Sequence, residues 1–249
     1  MRPEKTKVIL KELAILAVYL AAWEAASLLV GKELLLPSPP RTLARLFELL
    51  GQPESWAIAG MTLVRILSGF ALGVAGGILL AVLTARSRFA EELLRPLRSV
   101  VKATPVTSFI LLALLWLASD LVPLFIAFLM VLPIVWTSTA DAIVHTDARL
   151  VEMGRVFGLS KAKILLKIYV PSVLPESLAA CTTSLGFAWK AGVAAEIIAL
   201  PQRSIGYQLY ESKLRIETVD LFAWTLLVIL LSMLLEWLLV SCMRRIRHD

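Results

Sequence analysis

Apolar residues run along this chain in long blocks at about 9–30, 60–85, 100–118, 121–140, 172–200 and 219–241, separated by short stretches where charges collect. Each block has close to the 20 or so residues that a helix needs to cross a hydrocarbon core about 30 Å thick. The pattern predicts an all-α, polytopic membrane protein with about six transmembrane helices. Inside the third block, Thr104 and Pro105 predict the start of a helix or a kink, because proline removes a backbone donor and disfavours helix in the residue before it. Leu36-Pro37-Ser38-Pro39-Pro40 predicts a rigid turn leading into a short helix over 41–50. An even number of crossings places both termini on one side.

Composition sharpens this picture. The chain has 249 residues, 59% of them hydrophobic, with a mean hydropathy of +0.81, above the roughly one-half apolar content of soluble domains. Residues 1–249 are expected to form one transmembrane domain with the lipid bilayer as its solvent. The net charge of +6 does not point to nucleic acid, because the basic residues lie in gaps between apolar blocks. Most lysines and arginines fall in 2–11, 86–102, 149–167 and 244–247. Alternating crossings put all four stretches on one face, which the positive-inside rule makes the cytoplasm.

Smaller features fit the same reading. The first block follows Arg2, Lys5, Lys7 and Lys11, but Trp23 and Glu24 interrupt it before Ala25-Ala26-Ser27, so it reads as an uncleaved first helix. The tryptophans at 23, 56, 116, 136, 189, 224 and 237 lie mostly near block ends, as in an interfacial belt. Gly69, Gly73, Gly76 and Gly77 predict close approach by another helix. Cys181 and Cys242 fall in apolar blocks and read as small buried hydrophobes. Arg65 sits near a helix end, where it would snorkel or make a capping contact.

The most informative polar segment is 148–175, ARLVEMGRVFGLSKAKILLKIYVPSVLP. Leu150, Met153 and Phe157 recur at helical spacing among Arg149, Glu152 and Arg155, which predicts a short amphipathic helix. Gly158 can end it in a left-handed conformation and Ser160 can cap the next helix. Pro171 is expected to close that second stretch as the chain re-enters the membrane. An amphipathic pair lying on the headgroups has the same pattern.

Glu152, Gly158, Ser160, Pro171 and Pro175 together resemble the EAA loop of binding-protein-dependent ABC importer permeases. Met153 and Gly154 stand where alanines are usual in that loop, and Val170 where leucine is common. The resemblance extends over most of the chain and points to the nitrate, sulfonate, taurine and bicarbonate branch. It rests on Leu36-Pro37-Ser38-Pro39, Arg65-Ile66-Leu67-Ser68-Gly69-Phe70, Arg95-Pro96-Leu97 with Thr104-Pro105, and Ala194-Ala195-Glu196.

The resemblance implies a permease of the prokaryotic cytoplasmic (inner) membrane with both termini in the cytoplasm. Its coupling helix would dock on a separate ATPase through Glu152, Met153, Arg155, Phe157, Gly158, Leu159 and Ser160. Two ATP-binding-cassette subunits, a second permease copy and an extracytoplasmic substrate-binding protein are the implied partners. ATP and Mg would be held by the ATPase subunits, and this chain would carry no cofactor of its own. The cargo would be a small anion such as nitrate, sulfonate, taurine or bicarbonate, with pyrimidine or flavin-type vitamin precursors as the alternative.

The motifs not present agree. There is no G-x-x-x-x-G-K-[ST] loop, no H-E-x-x-H, no Cys-x-x-Cys and no Ser, His and Asp set, so no catalytic or metal residues are assigned. An autonomous secondary transporter, the rival class, leaves the 148–175 segment unexplained. In the fifth block, Trp189, Lys190 and Glu196 are candidates for the substrate path. A charge there is costly and faces protein or water. Lys190 either attracts an anion or pairs with Asp120, Asp141 or a neighbouring helix, and Glu196 has packing and gating as equal alternatives.

Overall fold

The computed structural model describes the backbone of residues 3–248 and the side chains of 11–243. The described residues form eleven α-helices and no strand. Five helical stretches are long and apolar enough to cross a membrane: Lys11–Val30, Pro53–Arg86, Val122–Val144, Lys161–Ala199 and Thr218–Met243.

The first helix, α1 (Pro3–Val30), ends in Gly31 with φ of +60°. The proline-rich turn follows, and α2 (Pro39–Gly51) begins on Pro39 and Pro40, where missing N–H groups cost nothing. Thr42, Leu46 and Leu49 form its buried stripe. Gln52 breaks the chain before α3 (Pro53–Arg86), again opened by proline.

Four glycines of α3 decide what packs on it. A Cβ on Gly69 would lie 2.2 Å from the Leu124 carbonyl oxygen, one on Gly73 2.6 Å from Val131 Cβ, and one on Gly77 2.9 Å from Val135 Cβ. The partner is α6 (Val122–Val144). Residue numbers rise together along the seam, so α3 and α6 run parallel. Two parallel crossings require a return between them. That return falls in the expected third block, 100–118, but among the described residues no single helix there is long enough to cross: α4 (Arg88–Ala103), which carries the basic stretch, ends at Thr104 and Pro105, and α5 (Val106–Ala113) follows.

Beyond α6, Asp147 caps α7 (Ala148–Val156) by accepting from Arg149 N, and Ser160 caps α8 (Lys161–Ile164) by accepting from Lys163 N. Here the structure corrects one expectation. Pro171 does not close the second stretch. A wide π turn over Leu165–Tyr169 leads directly into α9 (Val170–Ala199), and the Val170 N–H reaches back five residues to Leu165 O. The looser turn accommodates the proline ring and its missing donor, so the helix continues into the membrane.

The Thr139 hydroxyl meets the Ser177 hydroxyl at 3.0 Å. At the other end Ala195 and Ala199 share a cluster with Val122 and Ile126. Hence α9 is antiparallel to α6. A left-handed turn at Leu200 (φ 52°) leads to α10 (Ile205–Leu214), then to α11 (Thr218–His248). Trp189 on α9 donates to Val228 O on α11 at 3.2 Å. The apolar core runs through this packing, centred on Ile66, Val131, Ala188, Trp189 and Ala223. Cys181 is half-buried, but Cys242 is exposed rather than buried, since it lies on the outer side of α11.

Candidate functional site: a loop at one end and a charge cluster at the other

At one end of the bundle, α7 and α8 fold against each other. Gly154 sits at their contact, where a Cβ would lie 2.9 Å from Ile168 Cδ1. Val151 and Ile164 are buried in the same contact. Only the tip of Ile168 would have to move to admit an alanine methyl here, so the contact tolerates either residue, and helix propensity alone disfavours glycine by about 1 kcal/mol. Gly158 adopts φ of +69° and donates its N–H to Arg155 O at 3.0 Å, which makes the sharp turn expected of it.

The apolar face of α7 is turned away from the chain. Leu150, Met153, Val156 and Phe157 are exposed, the last two 84% and 77%. Glu152, Arg155 and Ser160 are exposed beside them, and Leu159 is half-buried. Next to this face, Arg86, Val151, Arg155, Leu159, Lys161 and Tyr169 border an open cavity of about 700 Å³. The loop residues singled out in the sequence are thus brought together on one surface.

The opposite end holds a buried cluster. Arg65 on α3 pairs with Asp120 and donates to Gln202 O at 3.1 Å and Arg203 O at 3.3 Å. Its second nitrogen is 3.6 Å from Glu196 Oε1. Glu196 is wholly buried, and its other oxygen accepts from Thr62 Oγ1 at 3.0 Å and Gly206 N at 3.1 Å. Thr62 in turn accepts from Ile205 N at 3.0 Å. Five segments are tied here. Arg65 is not at a helix end as expected, because α3 begins at Pro53; it is buried and bonds loop carbonyls and carboxylates, as the centre of a network that no local pattern signalled.

A second polar anchor lies at that end. Arg45 of α2 grips Asp220 of α11 through two contacts of 2.7 and 2.9 Å and reaches Glu48 at 2.8 Å. Hydrogen bonds to Asp220, then to Glu48, hold the Arg45 proton more tightly than in a free guanidinium, against an opposing effect of burial.

The substrate-path candidates separate. Trp189 is buried against α11 and Glu196 within the cluster, so neither reaches an open face of this chain. Lys190 is exposed, on the side of α9 that carries Thr183 and Phe187. Its suggested pairing with Asp120 does not form, because Arg65 holds that carboxylate, and among the described residues no ion pair joins it to Asp141.

The sequence model of the binding-protein-dependent transport system inner membrane components matches residues 73–248 of this chain. The chain belongs to this family. A probable ABC transporter permease of Brucella melitensis is 31% identical over 212 residues, covering 85% of this chain and 86% of the relative. A putative aliphatic sulfonates transport permease of Bacillus subtilis is 29% identical over 217 residues, 86% of this chain and 78% of the relative. The taurine transport system permease of Escherichia coli is 25% identical over 239 residues, 93% and 86%. The solved structure of an amino acid ABC transporter with histidines has the same fold, with a TM-score of 0.60 at 14% identity over 76% of this chain and 91% of that one. The protein is therefore a multi-pass ABC transporter permease subunit, of a family that works with ATPase and binding-protein partners.

Proposed function

We propose that this permease forms the translocation path of an ATP-driven importer of a small anion, such as a sulfonate, taurine, nitrate or bicarbonate. The end of the bundle bearing α7 lies in the cytoplasm, and the Arg65 end faces an extracytoplasmic binding protein. Two ATP-binding-cassette subunits, holding ATP and Mg, bind two permease copies through α7 and the Gly158 turn. The observation that carries this reading is the outward apolar face of α7. Exposed Met153, Val156 and Phe157 on a short helix outside the membrane-crossing segments need an apolar groove to cover them.

The chemistry follows from rigid connection. Buried Val151 and Ile164 with the Gly158 turn couple α7 to α8, and the uninterrupted run from Lys161 to Ala199 joins α8 to the centre of the membrane. A displacement of α7 by ATPase closure moves α9 with it, so nucleotide at one end biases the cavity at the other. The relatives named for aliphatic sulfonates and taurine support an anionic cargo.

The test is affinity purification of the tagged permease from its native membrane. Wild type is expected to retain the ATPase subunits, and Glu152→Arg to release them while still inserting. Gly158→Pro, which removes the donor to Arg155 O, is expected to keep ATP hydrolysis but lose uptake. Retention of ATPase and uptake at the wild-type rate in both variants would overturn the assignment of α7.

A further inference from the structure

The open side of α9 carries more chemistry than Lys190. Thr183, Phe187 and Lys190 are exposed along one face of this membrane-crossing helix, as are Ala179 and Glu176 nearer the loop end. Across from them, the break between α4 and α5 delivers a second ammonium into the same region. Lys102, the penultimate residue of α4, is exposed, and its Nζ donates to Thr137 Oγ1 on α6 at 3.0 Å. A groove of about 190 Å³ lies between, lined by Lys102, Thr104, Met130, Pro133, Ile134 and Phe187.

The levels of these groups follow from the antiparallel register of α6 and α9. Thr139 meets Ser177, and Ala191 packs in one cluster with Ile126. Lys190 therefore stands near the level of Ile126, and Phe187 near Met130. Lys102 is held at the level of Thr137. These levels are about eleven residues of α6 apart, or about 16 Å along the axis at 1.5 Å per residue. Neither lysine has an ion-pair partner among the described residues. For Lys190, in a membrane-crossing helix, an unpaired ammonium is costly unless it faces water or an anion, whereas Lys102 stands on α4, outside the crossing helices, at the loop-side end of the groove.

We infer that Lys190 and Lys102 are two successive stations for a small sulfonate-like or carboxylate-like anion, with Phe187 narrowing the groove between them. The inference rests on the permease reading above and names residues for its cargo. Lysine suits a transit site: its ammonium is a single mobile point charge, without the bidentate grip that arginine gives an oxyanion. Closer to the loop end, Asp141 and Glu176 are exposed on the same side. The charge thus changes sign along the route, drawing an anion inward and then opposing its retention.

The test uses the assembled transporter in liposomes, with Cys181→Ser and Cys242→Ser as background and Thr183→Cys as the reporter between the two lysines. Two thiol reagents of similar size are compared, a methanethiosulfonate bearing a sulfonate and one bearing a trimethylammonium, each scaled to its rate with a free thiol. The sulfonate reagent is expected to react faster. Lys190→Gln with Lys102→Gln should reduce that preference about tenfold, the effect of removing two nearby charges in a partly aqueous groove. Equal or cation-favouring rates, a preference that survives both substitutions, or no reaction with either reagent would overturn the inference. Ala179→Cys, on the same face, takes the place of Thr183→Cys where that variant does not assemble. Release of ATPase by Glu152→Arg, measured on the same preparation, shows whether the permease reading stands when the lysine stations fall.

Discussion

Arg65 shows how a single residue can be costly and still be retained. A guanidinium this deeply buried loses its hydration, and it recovers that loss through Asp120, two carbonyls and Glu196. Removing the arginine alone leaves Glu196 as an uncompensated buried charge. Arg65→Met is therefore expected to destabilise the protein by about 3–5 kcal/mol, and Arg65→Met with Glu196→Gln by much less. Thermal unfolding in detergent measures both, and equal losses in the two variants would remove the electrostatic explanation. The sequence showed Arg65 and Glu196 as charges interrupting apolar blocks. Their pairing was not legible, because 131 positions separate them and only the α3 and α9 packing brings them together. The same holds for Trp189, whose large side chain looked available for a substrate path and is instead sealed against α11.

At the scale of the element, the glycines of α3 are explained by the backbone that faces them. At Gly69 the obstacle is the Leu124 carbonyl, which cannot turn aside as a side-chain tip can. Gly69→Ala is expected to force α3 and α6 apart at a cost of about 1–3 kcal/mol, the usual range for overpacking. An unchanged unfolding midpoint would show that the seam is looser than these distances imply. Spacing alone signalled that some helix would approach this face. It did not indicate α6, nor that the two run parallel. The amphipathic pattern of α7 was equally visible, and it predicted the helix and its turn correctly. Which way the apolar face points was not encoded locally: Val151 and Gly154 take the inward side, leaving Met153 and Phe157 outward for another chain.

For the whole molecule, the parallel course of α3 and α6 requires a crossing between them, although α5 is only eight residues long. The distribution of charge predicts the orientation of the bundle. Glu54→Cys at the Arg65 end is expected to react with an impermeant maleimide on intact spheroplasts, and Ala148→Cys at the α7 end only after lysis, both in the Cys181→Ser, Cys242→Ser background. The reverse pattern would invert the assignment of faces. The linear order of residues by itself determined the helical class, five of the six crossing blocks, the break at Pro105 and the helix-turn-helix around Gly158, because each depends on neighbours within a few turns. Only the tertiary structure decided the continuity through Pro171, the network around Arg65, and the separation of Lys190 on an open face from Trp189 and Glu196 on buried ones. Those outcomes depend on groups distant in sequence and on which side of a helix its neighbours cover, and hydropathy along one chain carries no record of either.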